Sequence, residues 1–475
     1  MVFSPPPIPS SRPSNSPPYT APKSILIVGS GVYGLSVACS IAQHDAFSEC
    51  SITVVDRSDP SNPNVFPSPD AASVDTSRIV RTDYADEDYA ELAMEGQVDW
   101  RQRAKHTDLG AEGRYHECGF VVVGDEAPDV IDEELTGMGY ARSSYEKVLS
   151  LTSRHPEHFK DVRVLPDVDA IRTRLGTGGV SGTWGYVNEG SGWADPCAAM
   201  AWLLQKVRDT GRVSFVSGTV DSLERDGGAV TGALLNDGRV LSADLTIVAA
   251  GAWTGGLVDL SGQVTATGQV LGYISLTQEE QERLDSMPVV ANMTTGIYVI
   301  PPKDRVLKVA QHAYGYVNPV SASPLPSSPK SPASSSVISL PMTQFTNPSI
   351  RCIPERDADR LRRALGEIVP GLADRPFMKT RLCWYSDTLT GHPLIDYHPG
   401  WKGIFIATGD SGHCFKFMPV LGDKILDCIM GRCPIQFRKK WAWKTPSPTV
   451  VTRDGSRGGE PGLKLADALA STETM

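Results

Sequence analysis

The sequence predicts an α/β fold, and three observations predict it. A short β-branched run, SILIV at residues 24–28, feeds the glycine turn GSGVYG, and helical spacing follows from Leu35 to Gln43. A second buried run, SITVVD, ends on an acid, Asp56. Two later apolar runs, LTIVAAG and GIFIATG, also end on glycine although they lie far down the chain. Strand, tight turn, helix and strand make a βαβ unit, and the later runs read as further strands of the same sheet.

The remaining elements follow in order. Polar punctuation from Ser58 to Pro69 precedes TSRIVR and an acidic helical stretch, DEDYAELAMEGQVDWRQRA. GYVNEGSGWADP leads into the helix former CAAMAWLLQKVRDTG. From there to Trp253 several strands with Gly and Asp turns read as a β-meander that closes on LTIVAAG. Residues 320–336 are mostly Ser and Pro and are expected to form an exposed, mobile loop without catalytic residues. Residues 357–369 have helical periodicity and stop at Pro-Gly, and after GIFIATG come a Gly/Ser turn and a helix. Residues 1–22 and 433–475 read as tails, the first rich in Pro and Ser.

The bulk numbers narrow the function. A chain of 475 residues, 40% apolar and 21% charged, buries a large core. A formal net charge of -10 argues against a nucleic-acid groove or an anionic membrane surface. Nine scattered cysteines, without a CxxC pair or metal-type spacing, suit a reducing compartment and offer no zinc site. No apolar secretory segment opens the chain, and TETM is no peroxisomal address, so a cytoplasmic location is expected. The uncharged stretch SILIVGSGVYGLSVACSIA approaches a membrane-spanning length, but strand-turn-helix explains its three glycines better.

In GSGVYG, Gly29 permits the tight turn, Gly31 lets backbone approach a pyrophosphate, and Gly34 lets helix and strand pack closely. The helix N-terminus supplies free N–H groups and a positive dipole end. Asp56, about 20 residues on, suits ribose hydroxyls and disfavours a 2′-phosphate. The motif serves NAD and FAD alike. The recurrence of glycine-ended strands at AAGAWTGG and ATGDSGHCF favours a sheet assembled from separated segments around one long cofactor.

With IVGSGVYGLS, DTSRIVRTDYADEDYAELA, GSGWADP, TIVAAGAWT, LKVAQH, RLCWYSDT and ATGDSGHCFKFMP in order between residues 24 and 431, the sequence resembles the FAD-dependent D-amino-acid-oxidase-like oxidoreductases. Within them it is similar to the branch of monomeric sarcosine oxidase, pipecolate/saccharopine oxidase and fructosyl-amino-acid oxidase, with a fungal wording in CWYSDT and GHCFKF. The resemblance implies a Rossmann-like FAD-binding domain from residues 23–112, 190–262 and 383–432. It implies a second, α+β substrate domain on a mixed or antiparallel sheet from residues 113–189 and 263–382.

The same resemblance implies residue roles. Cys383 stands where the family bonds sulfur to the 8α-methyl of FAD. Lys308 aligns with the lysine held near flavin N5 for oxygen activation, which acts by preorganised charge. Tyr298 and His312 fall at the substrate, Arg81 and Lys416 match a clamp for a substrate carboxylate, and Arg78 resembles the arginine near the flavin ring. The small residues Gly409 to Gly412, with Asp410 and His413, bring a helix N-terminus to the flavin's N1–C2=O edge. Tyr33, Arg57, Ser77, Val220, Gly251 and Trp253 join the cofactor set. Asp410 and Cys414 depart from the family, where many members have glycine or serine, and the turn TDYADED is unusually acidic.

The activity implied is FAD-dependent oxidation of a secondary amine on an amino-acid-like substrate, with hydride passing to flavin N5, an imine product, and oxygen reduced to peroxide. The partners are a small amine and oxygen, no metal is called for, and the relatives suggest a monomer. Glycated amino acids or a bulkier N-alkyl amine are alternative substrates. A nicotinamide-dependent dehydrogenase would leave Cys383 and Lys308 without purpose, and a flavoprotein without turnover would not need Lys308 or the clamp.

Overall fold

The apolar runs that flank the glycine turns are too short to bury themselves as helices, and they pair as strands. The structure, a computed structural model, describes residues 19–60, 62, 65–331, 335–344, 347 and 353–470. In chain order the elements that matter are β1 (Ser24–Val28), α1 (Val32–Gln43), β2 (Ser51–Asp56), β3 (Arg78–Val80), α2 (Glu87–Arg101), β4 (Phe120–Gly124), α3 (Gly137–Arg154) and β5 (Trp184–Asn188). They continue with β6 (Gly192–Ala194), α4 (Pro196–Asp209), β7 (Val213–Ser217), β8 (Val220–Asp226), β9 (Ala229–Leu235), β10 (Val240–Ser242), β11 (Leu245–Val248) and β12 (Val264–Ser275). The rest are β13 (Val289–Asn292), β14 (Ile297–Lys303), β15 (Val306–Gln311), α5 (Glu355–Ile368), β16 (Lys379–Thr388), β17 (Leu394–Tyr397), β18 (Ile404–Thr408), α6 (Met418–Ile429), α7 (Ile435–Trp441) and β19 (Leu463–Lys464).

The first sheet runs β7-β2-β1-β11-β18-β17, parallel except for β17. Ile25, Leu26, Ile27, Ile247 and Phe405 are all buried, as a sheet covered on both faces requires. One face is covered by α1, α4 and α6, and the other by the meander β8-β9-β10. Helices α1 and α6 approach so closely that a Cβ on Gly422 would meet the Ser36 carbonyl at 2.1 Å.

The second sheet has ten strands and carries β12, β13, β14, β15, β4, β5 and β19, with β16 paired along β12 from Val264↔Thr388 to Tyr273↔Lys379. Its alternation sorts the side chains. Val299, Leu307, Val309, Ile274 and Trp384 pack in the core that holds Leu361, Leu365 and Ile368 of α5, whereas Tyr273, Ala310, Cys383 and Tyr385 share a separate cluster. That second cluster is where the site forms.

Three expectations about organisation change. The stretch from Cys383 was expected to open the last segment of the FAD-binding domain, and the strand that bears it instead pairs along its length in the second sheet. Residues 433–470 are no loose tail: Phe437 and Trp441 of α7 stack at 4.2 Å and are each 1% exposed, while β19 pairs with Tyr316–Val317 in the second sheet. A sequence rich in Arg, Lys, Ser and Pro masked two aromatics at helical spacing. The described parts of the Ser/Pro loop are also tied down, since Pro319–Ala322 and Ser336–Ser339 pair, Leu325 is buried, and Trp401 Nε1 donates to the Pro326 carbonyl at 2.7 Å. Residues 1–18, 332–334 and 471–475 of the expected tails and loop, and Cys352, lie outside the described residues.

Candidate active site

The glycine turn between β1 and α1 takes its shape from two close approaches. Gly29 has φ +107, and a Cβ there would meet the Ala249 carbonyl at 2.5 Å. A Cβ on Gly34 would lie 1.9 Å from the Gly29 carbonyl, so α1 can touch β1 only without one. Gly31 caps α1 with no side-chain hydrogen bond, and nothing stands within 4 Å of where its Cβ would be. At the end of β2, Asp56 accepts from Ser30 N–H at 2.6 Å and from Ser58 N–H and Oγ at 2.9 Å each. Arg57 lies 4.0 Å over the Trp253 ring and pairs with Asp70 at 2.7 Å.

A single cavity of about 430 Å³ runs from this turn to the second sheet. It is lined by Gly29, Gly31, Tyr33, Asp56 and Arg57 of the turn and of the end of β2, and by Val220, Gly251 and Trp253. Cys383, Lys308, Arg78 and Tyr298 line it too, with His312, Arg81, Lys416, Asp410, Gly412 and His413. Gly34, Ser77 and Gly409 do not line it. Gly34 acts through packing, Ser77 through its carbonyl, and Gly409 by turning the chain after β18 with φ +78.

Lys308 projects from β15 and is 1% exposed. Its Nζ lies 3.2 Å from Asp75 and also donates to the Ser77 carbonyl. Asp75 in turn accepts from Tyr273 Oη at 2.8 Å and from Arg78, and Arg381 braces the same loop by donating to the carbonyls of Ala71, at 2.9 Å, and Val74. Burial would raise the Asp75 pKa, but the summed attraction of Lys308, Arg78 and Arg381 holds it far below the usual carboxylate range. Burial, only partly offset by Asp75, lowers Lys308 to about 8. Arg78 Nη2 points at Cys383 Sγ from 3.4 Å.

At the other wall, Arg81 is half-buried beside Tyr84, whose ring lies 4.4 Å from the guanidinium carbon, and its Nη2 is 3.5 Å from Tyr140 Oη. Its Nη1 is buried and, among the described residues, has no hydrogen-bond partner. Lys416 Nζ donates to Tyr84 Oη at 2.9 Å and to the His413 carbonyl. Burial, with Arg81 nearby, pushes the Lys416 pKa well down. Among the described residues neither Arg81 nor Lys416 has a carboxylate in ion-pair range. His413 Nδ1 is 3.1 Å from Tyr84 Oη and its Nε2 is 2.8 Å from the Gly391 carbonyl.

The turn after β18 is tight. Gly412 has φ +75, and a Cβ there would enter the Tyr385 ring at 2.3 Å. Asp410 accepts from the N–H groups of Ser386 and Gly412, both at 3.1 Å. Burial and then the charge of Asp387 push its pKa up to about 6. The 3₁₀ turn Cys414–Phe417 and α6 both begin without a side-chain cap, so their first N–H groups have no capping side chain.

The sequence missed several members of the site. Asp75 holds Lys308 and Tyr273 donates to Asp75, and Asp75 had a signal in the acid three residues before Arg78; Arg381 was read only as part of the motif around Cys383, without its hold on the Asp75 loop. Ser456 lines the cavity from a segment expected to be tail. Tyr84 and Tyr140 gave no signal beyond lying near the R-I-V-R motif and on a helix.

The chain matches the FAD dependent oxidoreductase (DAO) family over residues 24–427. It belongs to that family. It is 33% identical over 454 residues to the amino acid oxidase imqH of Aspergillus flavus, covering 86% of this chain and 93% of the relative. It is 29% identical over 444 residues to the L-saccharopine oxidase of Schizosaccharomyces pombe, covering 89% and 93%. Among solved structures, a modified fructosyl peptide oxidase from Aspergillus nidulans superposes with a TM-score of 0.78 at 25% identity, over 95% of this chain and 99% of that one. The protein is thus a DAO-family flavoprotein of the amino acid and amine oxidase type. Among the described residues no helix is long and apolar enough to cross a membrane, and no cluster of metal-ligating side chains occurs.

The residues present fit FAD. The open position at Gly31 and the uncapped start of α1 suit a pyrophosphate, Asp56 closes the next strand beside them, and the cavity continues without interruption to Cys383.

Proposed function

We propose that the protein oxidises a secondary amine on an amino-acid-like substrate, of the N-methyl amino acid or pipecolate kind, with oxygen as acceptor. The observation that carries this reading is the pair Arg81 and Lys416, a half-buried and a buried cation that both pack on Tyr84 and, among the described residues, have no carboxylate of their own. A substrate carboxylate supplies the missing charge: Arg81 Nη1 gains its absent acceptor, and the Lys416 ammonium is stabilised against burial.

FAD, when bound, would supply the acceptor for the hydride of the C–H bond next to the amine nitrogen, and a route for those two electrons to oxygen, giving peroxide. This chain's residues do the rest. Arg81 and Lys416 orient the substrate by its carboxylate, and Phe120, Ile300 and Met293 give the cavity apolar walls that exclude water. Lys308 keeps a positive charge at the Cys383 end, held there by Asp75, to stabilise the negative charge that develops as oxygen is reduced. Cys383, next to Arg78, is the tether for the cofactor. No residue needs to act as a strong base, because the amine reacts in its neutral form.

Peroxide release over a panel of sarcosine, N-methyl amino acids, pipecolate, saccharopine and fructosyl-lysine tests the reading. Turnover of one of the first three classes supports it. Turnover of fructosyl-lysine alone transfers the activity to glycated amino acids, and no peroxide from any of them refutes amine oxidation.

A further inference from the structure

Residues 452–458 run along the end of β15 and are stitched to it. Gly458 N–H donates to the His312 carbonyl at 3.0 Å, and the Gly458 carbonyl accepts from Tyr314 N–H at 3.2 Å. The Arg457 side chain is 1% exposed and donates to Asp387 at 2.6 Å, to the Ser411 carbonyl at 3.0 Å and to the Ala313 carbonyl at 3.1 Å. Thr452 Oγ1 donates to the Thr388 carbonyl at 2.7 Å. Ser456, between these anchors, stands on the cavity wall.

Ser456 Oγ lies 2.7 Å from Asp454 Oδ1 and 3.2 Å from His312 Nε2. A carboxylate only accepts, and a hydroxyl has one hydrogen to give. Ser456 therefore donates to Asp454, and its oxygen is left to accept from His312, which must carry its hydrogen on Nε2. In a neutral imidazole the other nitrogen is then an acceptor. The ring is neutral, because burial first, and then Arg457, Arg81, His413 and Lys416 around it, push its pKa well down. Among the described residues nothing hydrogen-bonds Nδ1, and His312 lines the cavity.

We propose that Asp454 and Ser456 are positioning residues that hold His312 with its hydrogen on Nε2, so that Nδ1 accepts a hydrogen bond from the N–H of the substrate amine. This rests on the amine reading above and deepens it. A neutral secondary amine has an N–H to offer and a neutral tertiary amine has none, so the relay selects the first over the second.

Two measurements test it. In holoprotein labelled with ¹⁵N-histidine, with His312 assigned through His312→Gln, the ring should show a protonated Nε2 and an unprotonated Nδ1, and Ser456→Ala should move both shifts toward the average of the two tautomers. In turnover, Ser456→Ala and Asp454→Asn should raise KM for the preferred secondary amine at least tenfold, by more than kcat falls. The preference for sarcosine over N,N-dimethylglycine should shrink about tenfold, and Ser456→Thr should restore it. A protonated Nδ1 in the wild type overturns the relay, as does an unchanged preference in Ser456→Ala. A wild type that oxidises no amine refutes the amine reading instead, and the nitrogen shifts then decide the tautomer by themselves.

Discussion

Asp75 and Lys308 form a fully buried ion pair, each side chain 1% exposed, with Nζ and Oδ2 3.2 Å apart. Asp75 is, among the described residues, the carboxylate on which three cations act, Lys308, Arg78 and Arg381. Removing it leaves buried positive charges facing one another, which costs more than the pair is worth. Asp75→Asn is expected to lose roughly 3–5 kcal/mol of stability, read as a lower denaturant midpoint. Adding Lys308→Met should restore part of the loss, and strictly additive losses would show that the two side chains do not interact.

The same pair sets a pH limit. Lys308 has its pKa lowered to about 8 from 10.5, so it is charged in the folded protein below about pH 8 and neutral above. Between those values the unfolded chain binds the extra proton, so the burial penalty of this lysine is present below pH 8 and fades as pH rises toward 10.5. Reoxidation of the reduced enzyme by oxygen should therefore fall as pH rises through about 8 or somewhat higher, because an anion beside the lysine can only raise its pKa. Reduction by substrate should rise with pH as the amine deprotonates. Stopped-flow measurement of the two half-reactions separates them, and a reoxidation rate independent of pH from 7 to 10 would remove Lys308 from that step.

Acid precipitation addresses Cys383. The wild-type pellet should stay yellow, and Cys383→Ser should release its flavin to the supernatant while the cavity still binds it. Colour released from the wild type would leave Cys383 as a buried thiol beside Arg78.

Truncating either cation of the clamp should discriminate between substrates. Arg81→Met should raise KM for a carboxylate-bearing amine at least 30-fold, or about 2 kcal/mol, and leave the matching amine without a carboxylate almost unchanged. Equal losses on both would mean that Arg81 holds the wall rather than the substrate.

Helix α7 tests whether the late part of the chain is structural. Phe437→Ala should cost roughly 3–5 kcal/mol, as for a buried aromatic, whereas substitution in a solvated tail would cost almost nothing.

The cofactor end of this protein was legible because its chemistry is local. Gly29, Gly31, Gly34 and Asp56 sit within one βαβ unit, where spacing in sequence is geometry in space. Cys383, Lys308, Arg81 and Lys416 came only through resemblance, since each is a common residue type whose meaning depends on partners hundreds of positions away. Asp75 escaped because an acid in a loop looks solvated until three cations are folded around it. Ser456 and Asp454 escaped because a polar, Gly-rich run of low hydropathy looks the same whether it floats or lines a wall.

The first sheet is put together from strands at residues 24–56, 213–248 and 394–408, and β11 lies between β1 and β18. During synthesis the Leu245–Val248 edge therefore waits unpaired on one side until some 150 further residues have been made, an interval in which a strand that is buried in the finished sheet is open to misassociation. Expression at low temperature or with chaperone help is the practical counterpart of that wait, and cofactor capture belongs to the finished polypeptide rather than to the nascent one.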